Sequence, residues 1–281
     1  MTNSMLLERN TQIHPSAVIH PSAQIGEGAI IGPNVVIGEN VKIGKGVNII
    51  ANAYIEFAEI GNNCVISPFA TIGSAPQDLG YKGEETKVII GESTIIKENV
   101  TIHRAAACGD YTTRVGSKCL LMVGSHIAHN CVLEDEVILA NLATLGGHVH
   151  VGYGAFLGGM SVFHQNVRIG SMAIVSGFSA SRQDILPYSK CDGRPAYPRA
   201  LNVIAMKRRG IPLETRTEIN RAFKILISPK YNVKQSIEKI RTELTMNEYI
   251  ENMIDFVESS KRGVVLKMIK KSSHIADEME D

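Results

Sequence analysis

Aliphatic residues recur at every sixth position from Ile13 onward, and the residue four positions after each of them is small or β-branched. Glycine often follows the aliphatic residue, as at Ile25-Gly26. The pattern slips by one residue before Ile60 and later runs without a slip over residues 115–175. A period of six fits neither an α-helix nor a simple alternating strand. It is typical of a parallel β-helix built from hexapeptides.

Three hexapeptides close one triangular coil of 18 residues, so about ten coils stacked at roughly 4.8 Å form a prism about 50 Å long. Two polar, glycine-containing stretches interrupt the pattern, at residues 73–87 and 104–114. A solenoid accepts insertions as loops that leave a corner. We therefore expect both stretches to be surface loops that can cover a site.

The repeat ends near Pro187, and apolar stripes with helical spacing follow it, such as Val233, Ile237, Ile240 and Leu244. The sequence therefore predicts a mainly β chain with two domains. A hexapeptide-repeat β-helix covers residues 1–190, and a small α-helical domain covers residues 191–281. The polar tail at residues 272–281 is expected to be frayed.

Composition excludes several classes of protein. Apolar residues make up 44% of the chain, which excludes gross disorder. The 29 basic and 28 acidic residues nearly cancel, so binding of nucleic acid through bulk positive charge is not expected. No apolar run reaches the roughly 18 residues of a membrane span, and the N-terminus lacks a secretory apolar region.

The five cysteines are an odd number and form no Cys-x-x-Cys pair. We interpret them as reduced thiols and predict a cytoplasmic protein. Cys64, Cys119 and Cys131 occupy the small-residue position of the repeat, which predicts that they lie in the core.

Histidines supply the candidate chemistry, because five of the nine lie between residues 126 and 164. Residues 18 positions apart stack on adjacent coils, so His129, Gly147 and Gln165 form one column. The residues expected to converge on this edge are His126, His129, His148, His164, Gly147 and Gln165. One chemistry that suits them is general-base catalysis by His129, with the Gly147 backbone N–H stabilising an oxyanion. The other is zinc held by three histidines.

No nucleophile elbow, phosphate loop or dinucleotide fingerprint is present in the sequence. The cluster Lys207-Arg208-Arg209 follows the repeat. It suits either a solvated helix end or the binding of a pyrophosphate or an acidic partner.

Residues 12 to 266 resemble the bacterial acyl-[acyl-carrier-protein]–UDP-N-acetylglucosamine O-acyltransferases, which begin lipid A synthesis. The motifs that carry this resemblance are Gln77-Asp78-Leu79, Thr101-Ile102-His103-Arg104, His126-Ile127-Ala128-His129, Gly147-His148-Val149, Gly158-Gly159-Met160, His164-Gln165 and Lys207-Arg208-Arg209-Gly210. The resemblance implies a left-handed β-helix trimer with active sites between subunits. It also implies transfer of an R-3-hydroxyacyl group from acyl carrier protein to the sugar 3-hydroxyl, with no separate cofactor and no metal.

The resemblance assigns roles by position. His129 matches the general base, Gly147 the oxyanion donor, and Gly177 the position that limits acyl-chain length. The positions that match sugar, nucleotide or phosphate contacts are Asp78, His126, His148, His164, Gln165, Asn202, Arg208 and Arg209.

Three residues depart from the family pattern, at Gly80, Asn130 and Ile204. Asn130 follows the base where the family often has aspartate, and its amide can accept from the imidazole Nδ1–H without offering a charge. The changes at Gly80 and Ile204 keep a 3-amino sugar nucleotide open as the acceptor.

Three other functions are weighed against this interpretation. A UDP-3-O-acyl-glucosamine N-acyltransferase would carry a uridine-binding domain before the repeat, which here begins at Ile13. A γ-type carbonic anhydrase would bind zinc. An inert β-solenoid scaffold needs no column of histidines and usually carries a secretion signal.

Overall fold

The structure, a computed structural model, describes residues 11–107 and 109–266. Within these residues, short strands are followed by helices. The strands of the first half are β1 Gln12–Ile13, β2 Val18–Ile19, β3 Gln24–Ile25, β4 Ile30–Ile31, β5 Val36–Ile37, β6 Lys42–Ile43, β7 Asn48–Ile49, β8 Tyr54–Ile55, β9 Ala58–Ile60, β10 Val65–Ile66, β11 Thr71–Ser74, β12 Lys87–Ile90, β13 Ile95–Ile96 and β14 Thr101–His103.

The second half continues the series and ends in the helices. Its strands are β15 Thr112–Val115, β16 Leu120–Leu121, β17 His126–Ile127, β18 Val132–Leu133, β19 Ile138–Leu139, β20 Thr144–Leu145, β21 His150–Val151, β22 Phe156–Leu157, β23 Val162–Phe163, β24 Arg168–Ile169, β25 Ile174–Val175, β26 Ala180–Ser181, β27 Ser189–Asp192 and β28 Tyr197–Leu201. The helices are α1 Val203–Arg208, α2 Leu213–Leu226, α3 Val233–Glu243 and α4 Glu248–Glu258.

The strands stack into three sheets, which form the faces of the prism. The first face runs from β1 through every third strand to β25 and ends with β27 and β28, the second runs from β2 to β26, and the third from β3 to β24. Parallel partners lie 18 residues apart over much of the prism, as where His126 pairs with Thr144 and Thr144 with Val162. They lie 17 apart across the one-residue slip, as where Lys42 pairs with Glu59. In the two-residue strands within the prism the second residue points inward, and Ile127 and Leu145 are 0% exposed. The predicted hexapeptide coil is therefore confirmed.

Both insertions leave the same corner of the prism. The first lies between β11 on the second face and β12 on the third, and the second lies between β14 and β15 on the same two faces. His129, Gly147 and Gln165 occupy this corner on the following coils, and we call it the histidine edge. The loops are therefore placed beside the predicted column of polar residues.

The other two corners carry different residues. The corner between the third and first faces contains Glu136 and Gly154, and we call it the arginine edge because Arg209 packs there. The corner between the first and second faces contains Gly159 and Gly177, and we call it the glycine edge.

The C-terminal end of the prism is closed by a strand pair. β27 pairs in parallel with β25, and β28 then pairs with β27 in the antiparallel sense. The predicted division between residues 190 and 191 thus falls inside β27, and the helices begin only at Val203. β28 supplies backbone hydrogen-bond partners for β27. The first sheet therefore extends two strands beyond the end of the hexapeptide repeat. The tail expected to fray, at residues 272–281, lies outside the described residues.

Apolar side chains fill two separate cores, one inside the prism and one among the helices. Cys64, Cys119 and Cys131 are at most 1% exposed within the prism, as predicted. Burial raises the pKa of the Cys119 thiol to about 11 and that of Cys131 to about 12. These cysteines are therefore uncharged core residues.

Candidate active site

Four histidine rings line the histidine edge in two edge-to-face pairs. The His103 and His126 ring centroids are 5.1 Å apart, and those of His129 and His148 are 5.2 Å apart. His126, His129 and His148 are the rings that the sequence predicts at this edge. His103 was missed as a site residue, because the insertion at residues 104–114 interrupts the count of 18. Its signal in the sequence is its place directly before that insertion.

Burial keeps several of these imidazoles neutral. It lowers the pKa of His126 to about 4, with a smaller contribution from His103. Burial is also the main reason why the pKa values of His103 and His148 are lowered, and the neighbouring His129 adds to both effects. Neutral imidazoles can donate or accept hydrogen bonds at this edge without repelling one another.

His129 is oriented by the residue that follows it. Its Nδ1 lies 2.9 Å from Asn130 Oδ1. An amide oxygen only accepts hydrogen bonds, so the proton of the neutral imidazole lies on Nδ1 and leaves a lone pair on Nε2. That Nε2 lies over Gly147, where an added Cβ would be only 2.5 Å from it. The predicted column thus places the imidazole Nε2 of one coil directly against the glycine of the next.

Asp78 lies in the first insertion, and its Oδ1 accepts from the Gly80 N–H at 2.8 Å. The Asp78 carboxylate is near enough to His148 to raise the pKa of that imidazole, against the larger effect of burial. The insertion therefore brings a carboxylate to the histidine edge.

His164 and Gln165 lie further along the same edge. His164 Nδ1 is 3.2 Å from the Gln165 carbonyl oxygen and 3.3 Å from a guanidinium nitrogen of Arg262. Beside His164 is a groove of about 570 Å³ with an apolar floor that includes Val162 and Ala180. Its other lining residues are Ser181, Arg182, Gln183, Arg194 and Pro195. A largely apolar lining of this kind suits an alkyl chain.

Gly177 lies on the glycine edge, which borders the second face that carries Val162 and Ala180 of this groove. A Cβ added at Gly177 would lie 3.1 Å from the Gly159 carbonyl oxygen, which is tighter than ordinary van der Waals contact. Among the described residues only Gly159 comes within 4 Å of that Cβ, so a small shift of this backbone leaves room for a larger side chain or a ligand.

The predicted nucleotide residues lie on the arginine edge instead. Asn202 is 2% exposed, and its Oδ1 accepts from the Ala205 N–H while its Nδ2 donates to the Met172 carbonyl. It therefore caps α1. Arg209 donates to Glu136 Oε2 at 3.0 Å and packs 4.2 Å from the centre of the Tyr153 ring, to whose hydroxyl it also donates.

A hollow of about 810 Å³ lies beside these contacts. The residues that line it include Lys118, Asn202, Ile204, Arg208 and Arg209. Lysine and arginine side chains are suited to bind phosphate oxygens. Within one chain, this cationic hollow and the histidine edge are on different corners of the prism.

Two further features are absent from the part of the chain that the structure describes. Within residues 11–107 and 109–266, no three or more histidine, cysteine, aspartate or glutamate side chains are grouped so that they could hold a metal ion. In the same residues, no helix has both the length and the apolar character needed to cross a membrane.

Comparisons with known proteins identify relatives of this chain. The family model described as UDP N-acetylglucosamine O-acyltransferase, domain 2, matches residues 184–265, and a model described as the GMPPB C-terminal domain matches residues 13–77. An acyl-[acyl-carrier-protein]–UDP-N-acetylglucosamine O-acyltransferase of Thermodesulfovibrio yellowstonii is 45% identical over 77% of this chain and 84% of its own. The corresponding enzyme of Campylobacter concisus is 39% identical over 74% of this chain and 79% of its own.

Solved structures show the same relationship. The UDP-N-acetylglucosamine acyltransferase of Bacteroides fragilis has a TM-score of 0.88 and 37% identity, and it covers 90% of this chain and 100% of its own. That of Francisella novicida has a TM-score of 0.87 and 33% identity over 96% of this chain and 100% of its own. These likenesses confirm the left-handed parallel β-helix with C-terminal helices. The chain belongs to the family of acyl-[acyl-carrier-protein]–UDP-N-acetylglucosamine O-acyltransferases.

Proposed function

We propose that this acyltransferase moves an R-3-hydroxyacyl group from acyl carrier protein to the 3-hydroxyl of UDP-N-acetylglucosamine, with His129 as general base. The observation that carries the proposal is the placement of His129. Its Nδ1 faces an acceptor, Asn130 Oδ1, at 2.9 Å, and its Nε2 faces Gly147. A nitrogen with a lone pair therefore lies directly against the backbone of Gly147, whose N–H is the proposed oxyanion donor.

The proposed mechanism uses residues of the histidine edge. The sugar 3-hydroxyl gives its proton to His129 Nε2 while its oxygen attacks the thioester carbonyl carbon. The Gly147 backbone N–H stabilises the oxyanion that forms. When the tetrahedral intermediate collapses, the thiolate leaves and takes the proton from the imidazolium. No cofactor is needed, because the thioester already activates the acyl group.

Neutral histidines and a carboxylate would hold the sugar. His126, His148 and Asp78 supply hydrogen-bonding groups beside the base, and Gln165 continues the column on the next coil. The cationic hollow, with Arg208 and Lys118, would bind the diphosphate. Arg209 forms an ion pair with Glu136, 3.0 Å away, and would in this way keep the lining of the hollow in position.

A second copy of the chain would bring the two halves of this site together, and we propose a homotrimer. The histidine edge and the cationic hollow lie on different corners of one prism, whereas neighbouring prisms can place one corner beside the other. Outward positions on the first face are apolar along six consecutive strands. They are Val65, Ile95, Leu120, Ile138, Phe156 and Ile174. Such a stripe is suited to be covered by another subunit.

The direct test supplies the purified chain with 3-hydroxyacyl carrier proteins of several lengths and with UDP-N-acetylglucosamine, and reads the products by mass spectrometry. An O-acylated sugar nucleotide supports the proposal. Product only from the 3-amino sugar nucleotide, or only from UDP-3-O-acyl-glucosamine, would move the reaction to N-acylation. The His129→Ala variant should lose about 10²–10⁴-fold in rate while keeping its fold and oligomeric state. Near-full activity in this variant would remove His129 from the role of base.

Gly177 is proposed to limit the length of the acyl chain. Because only the Gly159 backbone borders the space beyond its Cα among the described residues, a Gly177→Met side chain would occupy the path of a long chain. We expect the variant to prefer a donor several methylenes shorter, since each buried methylene contributes about 0.8 kcal/mol. Competition among carrier-protein thioesters of different lengths measures the preference. An unchanged product profile would contradict the assignment.

A further inference from the structure

The arginine edge carries three corner residues that stack on successive coils, Lys118, Glu136 and Gly154. Arg209 lies across this column, because a Cβ at Gly154 would overlap its guanidinium. The lack of a side chain at Gly154 therefore lets Arg209 reach Glu136 on the preceding coil.

The Glu136 carboxylate is held at both of its oxygens. Oε1 accepts from the Tyr153 hydroxyl at 3.0 Å, and Oε2 accepts from Arg209 at 3.0 Å. The hydrogen bond from Tyr153, followed by that from Arg209, lowers the pKa of the Glu136 carboxyl, so the group is charged near neutral pH. Each carboxylate oxygen can accept two hydrogen bonds, and the Glu136 side chain is 40% exposed. Glu136 therefore keeps acceptor capacity for a ligand.

The same carboxylate lines the cationic hollow. Among the described residues around the hollow, Glu136 alone carries a carboxylate. The amide of Asn202 is already bonded to Ala205 and Met172, and the aliphatic side chain of Ile204, 57% exposed, offers no polar atom. A hydroxyl group bound in the hollow would therefore find its side-chain acceptor at Glu136.

A carboxylate in a cationic hollow selects the part of a ligand that lies beside it. It repels phosphate oxygens, which favour Lys118 and Arg208, and it attracts hydroxyl or N–H donors. A nucleoside diphosphate carries such donors on its ribose, next to the phosphates. Acidic residues accept from ribose hydroxyls in dinucleotide-binding folds for the same reason.

We propose that Glu136 is a specificity-determining residue that accepts hydrogen bonds from the ribose hydroxyls of the sugar nucleotide. The inference rests on the proposed function, which takes the cationic hollow as the nucleotide site, and it adds the group of the nucleotide that is recognised. Tyr153 and Arg209 are positioning residues that fix the carboxylate, while Lys118 and Arg208 bind the diphosphate.

Acceptors that lack one ribose hydroxyl test this contact. UDP-N-acetylglucosamine and its 2′-deoxyribose and 3′-deoxyribose forms are titrated into the purified full-length protein by calorimetry. We expect at least one deoxy form to bind about 10–100-fold more weakly, the usual effect of losing a hydrogen bond to a charged group. The ratio of Kd values isolates the ribose contact, because uracil, diphosphate and amino sugar are the same in all three ligands.

Two variants locate the acceptor. Glu136→Asn should bring both Kd ratios to within about threefold of one, because the shorter, uncharged side chain withdraws the acceptor. Asparagine suits the left-handed backbone of this corner, where Glu136 has a φ of 58° and Asn63 occupies the same edge with a φ of 56°. Tyr153→Phe keeps the ring beside Arg209 but removes the hydroxyl that fixes Oε1, so the larger ratio should fall at least about threefold.

Glu134→Gln is the matched control. The Glu134 side chain is 42% exposed and lies outside the lining of the hollow. Its Oε2 accepts from the Tyr153 N–H at 2.8 Å, a role that the amide oxygen of glutamine can also fill. The variant removes a charge near the same edge and should keep the wild-type Kd ratios.

The outcomes separate this inference from the proposed function. If UDP-N-acetylglucosamine binds but both deoxy forms bind within about threefold of it, Glu136 does not recognise the ribose. Wild-type ratios in Glu136→Asn would also overturn the assignment, because the acceptor would then lie elsewhere. If none of the three ligands binds, the hollow is not a nucleotide site and the proposed function itself fails.

Discussion

Gly147 is small because the side chain of another coil occupies the space in front of it. A Cβ there would lie 2.5 Å from His129 Nε2 and 2.6 Å from Cε1. Gly147 is not among the glycines with a positive φ, so alanine suits its backbone. The contact with His129 is therefore what excludes a side chain.

The Gly147→Ala variant tests this contact. We expect the added methyl group to displace the imidazole and to lower kcat at least about tenfold, because the reacting atoms lose their alignment. Steady-state kinetics measure the loss, and circular dichroism checks the fold. In a His129→Ala background the same substitution should have little further effect, since the two residues act as one unit. Additive losses would instead assign Gly147 an independent role.

His126 makes the stability of the protein depend on pH. Its Nδ1 lies 2.7 Å from the Thr101 hydroxyl oxygen, and burial lowers its native pKa to about 4 from 6.5. Between these pH values the unfolded chain binds a proton that the native imidazole does not, so stability falls as the pH falls. We expect a loss of about 2 kcal/mol from this group after solvent screening is allowed for.

Urea unfolding at pH 6.5 and pH 4, at one protein concentration, measures this loss. The His126→Asn variant should lose less stability over the same interval, because asparagine does not titrate. An identical pH dependence in both proteins would contradict the assignment to His126.

At the scale of elements, Arg104 links the first insertion to the prism through hydrogen bonds. Its guanidinium donates to Glu56 Oε1 at 3.0 Å, to the Gly73 carbonyl at 2.7 Å and to the Tyr81 hydroxyl at 3.0 Å. It also lies 4.3 Å from the centre of the Phe57 ring. The Arg104 side chain is 11% exposed, so these contacts are largely screened from solvent. The insertion that carries Asp78 thus depends on one residue at the start of the other insertion.

We expect Arg104→Lys to loosen the first insertion, because lysine cannot reproduce the planar fork or its stacking. Trypsin cleavage after Lys82, within that insertion, should become about tenfold faster, since cleavage follows the population of the open form. Timed digestion with mass spectrometry measures the rate. Arg114→Lys is the control, because its partner Asp110 is 59% exposed, and it should stay within about twofold of the wild type. Equal rates in all three proteins would show that Arg104 does not hold the loop.

At the scale of the whole molecule, the two halves of the proposed site lie on different corners of each prism. If neighbouring subunits share the site, His129→Ala and Arg208→Ala chains should complement each other. A mixed trimer then contains a site with His129 from one subunit and Arg208 from its neighbour, both intact.

Refolding an equal mixture of the two inactive variants should therefore restore a measurable fraction of wild-type activity. Each variant refolded alone provides the baseline, and light scattering reports the oligomeric state. Activity that stays at the baseline in trimers of mixed composition would place both residues in the site of a single chain.

The sequence by itself determined the repeating architecture and one column of the site. Each coil of a β-helix repeats the same local geometry, so a spacing of 18 residues places His129 against Gly147 without further knowledge. The same regularity predicted the buried cysteines. The motifs that carry the resemblance to the family could also be read from the sequence, because each of them is a short run of consecutive residues.

Only the tertiary structure decided what the insertions do. An insertion breaks the count of 18, so neither the place of His103 nor the contacts of Arg104 can be read from spacing. Asn202 and Arg209 were likewise predicted by position, while their contacts with Met172 and Glu136 depend on how α1 packs on the prism. The geometry of one coil repeats in the next, so residue spacing alone predicts which residues stack. Contacts between segments far apart in the sequence depend instead on how side chains pack once the coils have stacked.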